Sequence, residues 1–372
     1  PDLPPDQQPP VSGYVAGQSL TLVRNPNWDP ARDQLRAALA DRIEIVHVGF
    51  DEQYQATLDD EIDLGLNVDL FPEDVDRLRA DPDLAPRLQI EPAQASDWIM
   101  LNLAVPPFDD LAVRRAVAFA TNRQTLISVL RPGSTVQTHA LPDLFANGLL
   151  SDYDPYGAVD HAGDPSRASA EMARSRYDSN GDGVCDHTSC SEIPMPILEE
   201  RPELTVAAEA FSSQMAGLGL TFAVTRVPFD DYWHAMTDPA SRTPMAFTVG
   251  WSSDYLNAAS WFTPLARSSS IGADFGLNLS LIGASPEDLF AWGYEVTDVP
   301  NLDPKIDECV ALTGAAQFAC WAELDQVLME RVAAWVPIDT RNLARLTSSL
   351  VTVYERDESL GMPSLGRLQV SR

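Results

Sequence analysis

Residues 100–127, MLNLAVPPFDDLAVRRAVAFATNRQTLI, read as an apolar strand, a proline break and a helix with a marked entry. Asp110 can cap that helix, because a short carboxylate accepts N–H groups that the first turn leaves unpaired. Val113, Ala116, Val117 and Ala120 fall at the i, i+3, i+4, i+7 spacing of one buried face. Arg114, Arg115 and Arg123 are then expected on its other faces. A strand that feeds directly into an amphipathic helix is the building unit of an α/β domain.

The same rhythm continues outward in both directions. Upstream, SLTLVR (19–24) and RIEIVHV (42–48) alternate as half-buried strands around the turn-like NPNWDP (25–30). An acidic helical stretch at 51–60 follows, then a short helix that starts near Pro72 and stops at Asp81-Pro82, and strands at 87–91 and 98–103. Downstream, 131–165 reads mostly as loop, and a helix over 203–218 buries Ala207, Phe211, Met215 and Leu218 before Gly219. LTFAVTRV (220–227) predicts a strand, FDDYWHAM (229–236) an Asp-capped helix with an aromatic face, and MAFTVGW (245–251) a buried strand. A last helix is expected over 319–333, followed by WVPIDTR as a return strand.

Composition narrows the function. With 55 acidic against 25 basic residues in 372, the net charge of −30 repels phosphate backbones and anionic headgroups, which excludes nucleic-acid binding. Lys305 is the only lysine, so no Gly-Lys-Ser/Thr phosphate loop exists and ATP hydrolysis by this chain is excluded. No apolar run approaches the roughly 18 residues of a membrane span. The chain opens on PDLPPDQQPP rather than on Met or a signal peptide, an extended, turn-rich stretch.

Few residues group in ways that suggest chemistry. Cys185 with Cys190 and Cys309 with Cys320 form two local pairs; four cysteines allow three connectivities, and the local one is the simplest. Zinc is the rival, but the spacing lacks C-x2-C knuckles. DSNGDGVCD places Asp178, Asn180 and Asp182 at positions 1, 3 and 5 of a calcium loop, with Val184 and Asp186 at 7 and 9; Ser189 stands where a bidentate Glu is usual. A structural calcium and a polar turn pinned by cysteines are both open. The doublets Asp59-Asp60, Asp109-Asp110 and Asp230-Asp231 suit caps and solvated faces better than an acid/base pair, and the five histidines show no metal-ligand spacing. In GWSSDY (250–255), Trp251 and Asp254 follow a buried strand, at the strand end where α/β sheets commonly bind ligands. An indole can stack and a carboxylate can pair with an ammonium; a core tryptophan and a helix-capping aspartate are the competing readings.

The 100–127 stretch resembles the signature of the family 5 extracellular solute-binding proteins of peptide- and nickel-type ABC importers: an Asn-containing strand, a Pro-Phe-Asp-Asp cap, a Val-Arg-x-Ala helix and an Asn-Arg pair. GQSLTLVRNPNW (17–28), EIDLGL (61–66), GWSSDY and WVPI (335–338) follow in the family's order. The resemblance implies an α/β, two-lobed periplasmic-binding-protein-like fold of type II, peptide-binding class. It further implies an amino-terminally incomplete chain: part of domain I over 1–67, domain II over 68–336, and a return to domain I over 337–372.

By the same resemblance, the chain is no enzyme and needs no cofactor beyond the structural calcium already considered. It is a monomeric, extracellular or periplasmic receptor, tethered by a lipid anchor in the missing part, that binds oligopeptides between two lobes and delivers them to ABC permease subunits. Asp254 would pair with the peptide amine beside Trp251, Arg201 in EERPELT would hold a carboxylate, and Trp98 and Asn278 would lie next to the cleft or else serve packing and loop bonding. A nickel chelate or oligosaccharide is the alternative solute, and a secreted calcium-stabilised hydrolase the alternative class.

Overall fold

A computed structural model of the chain describes residues 13–33, 36–66, 70, 72–131, 133–272, 276–358 and 361–371. The extended stretch expected at residues 1–10 and the expected boundary at 67/68 lie outside them. Packing divides the chain into two units, one of residues 1–91 with 343–372 and one of residues 92–342. The domain limits expected from the resemblance were 67/68 and 336/337. The limits of the two units fall inside two long strands, where no change of composition marks them.

In unit 1, β1 (Tyr14–Val15), β2 (Ser19–Val23) and β3 (Arg42–Val46) form an antiparallel sheet, with Leu20 opposite Ile45 and Leu22 opposite Ile43. Helices α1 (Phe50–Leu58) and α2 (Pro72–Ala80) follow. The buried apolar centre is small: Leu70, Leu78, Ala344 and Leu346, ringed by Tyr54, Leu58, Val75, Leu84 and Leu88. Arg87 ties it together, donating to the carbonyls of Thr57 at 2.6 Å and Thr347 at 2.9 Å and pairing with Asp60 at 3.1 Å.

Unit 2 is built on β4 (Leu88–Leu101), the single strand into which the two strands expected at 87–91 and 98–103 merge. After it come α3 (Leu111–Ala120), α4 (Arg123–Leu130), β5 (Thr135–Val136), α5 (Pro165–Met172), β6 (Ile193–Leu198), α6 (Pro202–Met215), β7 (Phe222–Val227), α7 (Phe229–Thr237) and β8 (Met245–Ser252). The unit closes with α8 (Ala259–Ala266), α9 (Pro286–Ala291), α10 (Asp303–Ala311), α11 (Gly314–Val327) and β9 (Trp335–Leu346). One sheet runs β5-β9-β4-β8, with β8 antiparallel to β4; β6 and β7 pair in parallel around α6 as a βαβ unit. Beyond β9, unit 1 regains β10 (Val351–Val353), β11 (Arg356–Asp357), β12 (Met362–Pro363) and β13 (Gln369–Val370), paired β10 with β13 and β11 with β12.

Asp110 caps α3, accepting from the Ala112 N–H at 2.8 Å, and Val113, Ala116, Val117 and Ala120 are buried as the spacing predicts. The arginines depart from that reading. Arg114 is buried and donates to the carbonyls of Val332 at 2.9 Å and Phe108 at 2.7 Å, and Arg123 is buried and donates to Pro337 at 2.9 Å. Their stems fill core space while their heads satisfy carbonyls that strands and helices leave unpaired. Two further corrections concern helices: α7 is preceded by Pro228 with no side-chain cap, and the last helix begins at Gly314 and ends in a π turn over Leu328–Val332. The core centres on Trp98, whose ring meets Trp261 edge-on and Trp335 at a tilt, both at 5.4 Å.

Candidate ligand-binding site

Strand β8 is buried over Met245, Ala246 and Phe247 up to Thr248, which takes φ 59°, a backbone state that branched side chains adopt only under strain. The register to β4 shifts there, and such a bulge re-aims the residues that follow. Beyond it, half-buried Trp251 packs on the core and donates from Nε1 to the Ser260 carbonyl at 2.8 Å. Ser253 is pinned to Gln94 by its N–H at 2.9 Å and its Oγ at 2.7 Å. Asp254 comes next, exposed, with no hydrogen bond or ion pair among the described residues. It is not a cap, since α8 starts at Ala259 behind Ala258 with no side-chain cap bond. Tyr255 and Leu256 are 52% and 45% exposed, while the Tyr255 carbonyl is held by the Asn257 N–H at 2.7 Å and Ser260 Oγ at 3.1 Å. The loop thus has a fixed backbone and presents a carboxylate, a phenol ring and an isobutyl group.

Just before this loop, a charged cluster crosses the sheet. Asp97 on β4 stands opposite Gly250 and takes a two-pronged bond from Arg341, 2.8 and 2.6 Å, plus Arg131 Nε at 2.8 Å. Gly250 leaves room for this pair, since a Cβ there would overlap the Arg341 guanidinium and displace it. Burial works against the charged form of Asp97, but the Arg341 bonds and the charges of Arg341 and Arg131 outweigh it and lower its pKa. Asp339, 1% exposed and 4.0 Å from Arg131, is shifted the other way by burial and by the Asp97 charge beside it.

Arg201 precedes α6 at the end of β6, half-buried, with Nε on Glu203 at 2.7 Å. The Tyr232 hydroxyl on α7, pushed up to about 12 by burial, feels the charges of both Arg201 and Asp97. Arg201, at the end of β6, and Asp97, opposite Gly250 on β8, thus both act on Tyr232 of α7. Trp98 and Asn278 are taken up by packing and loop bonding. Trp98 is fully buried and donates to the Ala140 carbonyl at 3.1 Å. Asn278, 2% exposed, bridges the Arg267 and Ile282 carbonyls at 2.9 and 2.8 Å and accepts the Ile282 N–H at 3.0 Å, which uses its whole amide to fold a loop. Tyr255, Leu256, Phe229 and Trp233 are also exposed, which periodicity alone does not predict.

The 178–190 segment is held by protein groups. Asp178, buried, accepts the N–H groups of Gly181 at 2.7 Å, Asp182 at 3.3 Å and Gly183 at 2.7 Å; Asn180 accepts Asp182 at 2.9 Å, Asp182 accepts Val184 at 3.0 Å, and Asp186 accepts Ser179 at 3.2 Å. The Cys185–Cys190 disulfide closes the turn, and Cys309–Cys320 joins α10 to α11. Among the described residues no three His, Cys, Asp or Glu side chains converge to hold a metal ion. The loop as placed is a polar turn held by these bonds, so Asp178→Ala is expected to cost about 1–3 kcal/mol through unpaired buried N–H groups. The drop in Tm should be equal in calcium and in chelator; a drop seen only with calcium present would restore the cation.

Residues 11–273 match the sequence profile described as bacterial extracellular solute-binding proteins, family 5 Middle. The chain belongs to this family. Among curated family 5 relatives, it is 25% identical over 200 residues to a di/tripeptide-binding protein of Pseudomonas aeruginosa, 52% of this chain and 33% of that protein. It is 24% identical over 274 residues to heme-binding protein A of Haemophilus influenzae, 72% of this chain and 43% of that one. Among solved structures, an oligopeptide binding protein of clavulanic acid biosynthesis superposes with a TM-score of 0.76 at 22% identity, over 98% of this chain and 62% of its own. A periplasmic murein tripeptide binding protein in its unliganded open form gives 0.69 at 17% identity, over 96% and 62%. The chain thus spans less than two thirds of each of these proteins. The structural likenesses establish the α/β fold of the type II, peptide-binding class. Family 5 proteins are extracellular and these relatives are named for binding, not catalysis. No described helix is long and apolar enough to cross a membrane.

Proposed function

We propose that this chain is the substrate-binding component of an ABC importer, held at the envelope by a lipid anchor, which captures oligopeptides and passes them to a membrane permease. The observation that carries the reading is Asp254: an exposed carboxylate with no partner among the described residues, on a pinned loop at a strand end, three residues after a half-buried tryptophan. That is a receptor for an ammonium group, and a peptide's amino terminus supplies one. Arg201 is the second anchor, for a ligand carboxylate, and engages it by exchanging its bond to Glu203. Binding of this kind needs no covalent step; a receptor works by shifting population toward the state that the ligand contacts best.

Calorimetry with a tripeptide tests it. Asp254→Asn is expected to weaken binding by about 10- to 100-fold, the range of a bond to a charged partner. N-acetylation of the peptide should cause the same loss in the native protein and no further loss in the variant. Equal affinity of native protein and variant removes Asp254 from the site.

A further inference from the structure

The helix after β7 carries a feature that the amine anchor does not use. Phe229 and Trp233, one turn apart on α7, stack with ring centroids 6.1 Å apart and planes 15° from parallel, yet remain 55% and 41% exposed. The buried face of α7 is provided by Tyr232 and Met236, so the aromatic pair is not the helix's packing surface. One carboxylate reaches it, and a second follows Phe229 in the chain. Glu200 reaches the head of α7 and accepts the Phe229 N–H at 3.3 Å, and Asp230 follows Phe229 directly. Neither has an ion-pair partner among the described residues. The neighbouring cations are engaged: Arg201 with Glu203 at 2.7 Å, Arg226 with the Glu199 carbonyl at 2.6 Å, and His234 facing Asp238 at 3.6 Å.

We infer that Phe229 and Trp233, with Glu200 and Asp230, form a subsite for a cationic side chain, the guanidinium or ammonium of a bound peptide; this rests on the peptide reading above. An aromatic face attracts a cation through its quadrupole, and unpaired carboxylates at its edge supply the counter-charge. Two rings offer far less than the roughly 800 Å² per partner that a stable protein interface buries, so the patch fits one side chain and not a docked protein. The Phe229–Glu200 bond ties it to the end of β6, where Arg201 follows.

The test compares tripeptides carrying arginine, in turn at each position, with the same peptides carrying citrulline, a neutral isostere. At one position the arginine peptide is expected to bind about 3- to 30-fold tighter. Trp233→Ala and Phe229→Ala should each bring it toward the citrulline value while leaving the citrulline peptide and the penalty for N-acetylation unchanged. Equal affinities at every position in the native protein, or an equal loss for both peptides in the variants, overturns the subsite and leaves the amine anchor standing. Failure of every peptide to bind overturns the peptide reading instead. N-acetylarginine amide then decides the subsite alone: quenching of indole emission that is lost in Trp233→Phe supports a cation site, and absence of quenching overturns it.

Discussion

Asp97→Ala is expected to destabilise the protein by about 3–5 kcal/mol, read as a lower urea midpoint with an unchanged slope. The reason is asymmetry. Asp97 is 4% exposed and answers two guanidiniums at once, so its removal leaves Arg341 and Arg131 in a poorly solvated place facing a gap. Asp339 offers partial relief: with the Asp97 charge gone its own carboxyl ionises more readily beside Arg131, and the double variant with Asp339→Ala should lose more than Asp97→Ala alone. Asp339→Asn alone should be nearly neutral or mildly stabilising, because it removes a repelling carboxyl. The signs with pH follow. Asp97's lowered pKa gives stability present above the unfolded value near 3.9 and lost as pH falls through the depressed one; Asp339's raised pKa gives stability present below about 3.9 and lost as pH rises through the elevated one. A change below about 0.5 kcal/mol in Asp97→Ala would show that the cluster adds nothing.

The second large effect lies at alkaline pH. His139, 4% exposed, is held by Asp325 at Nδ1 and by Asp143 at Nε2, each at 3.1 Å. Burial disfavours the imidazolium, but the two carboxylate bonds outweigh it and raise its pKa to about 9. Asp325 is fully buried and also accepts the N–H groups of Ala140 at 3.2 Å and Leu141 at 2.8 Å, so it stays in place. A raised histidine contributes stability that is complete below its unfolded value near 6.5 and is lost as pH rises through about 9. The expected loss is on the order of 3 kcal/mol, and His139→Gln should flatten that slope. Parallel slopes for native protein and variant would locate the titration elsewhere.

How much of this could be read in advance depends on sequence distance. The cap at Asp110, the buried stripe of α3, the end of α6 before Gly219 at φ 74° and both cysteine pairs involve residues within a dozen positions of one another, and all were legible. The bond from Arg341 to Asp97 spans 244 residues, and those of Arg114 and Arg123 span 218 and 214. Periodicity assigns an arginine to the surface by its charge and has no means of knowing that a distant carbonyl awaits it. Two strands are expected, at 87–91 and 98–103, yet β4 runs unbroken from Leu88 to Leu101 through Pro92. At the candidate site the strand-end rule and the family resemblance picked out Trp251 and Asp254. Trp98 and Asn278 were picked by resemblance alone, and packing and loop bonding claim them.

The two disulfides close loops of 5 and 11 residues. Bringing chain ends together becomes harder by about 0.6 kcal/mol for each doubling of the loop, so each cysteine meets its native partner far more often than any other. A crossed pairing must close the long stretch between Cys190 and Cys309. Proximity along the chain therefore favours the native pairing over a crossed one.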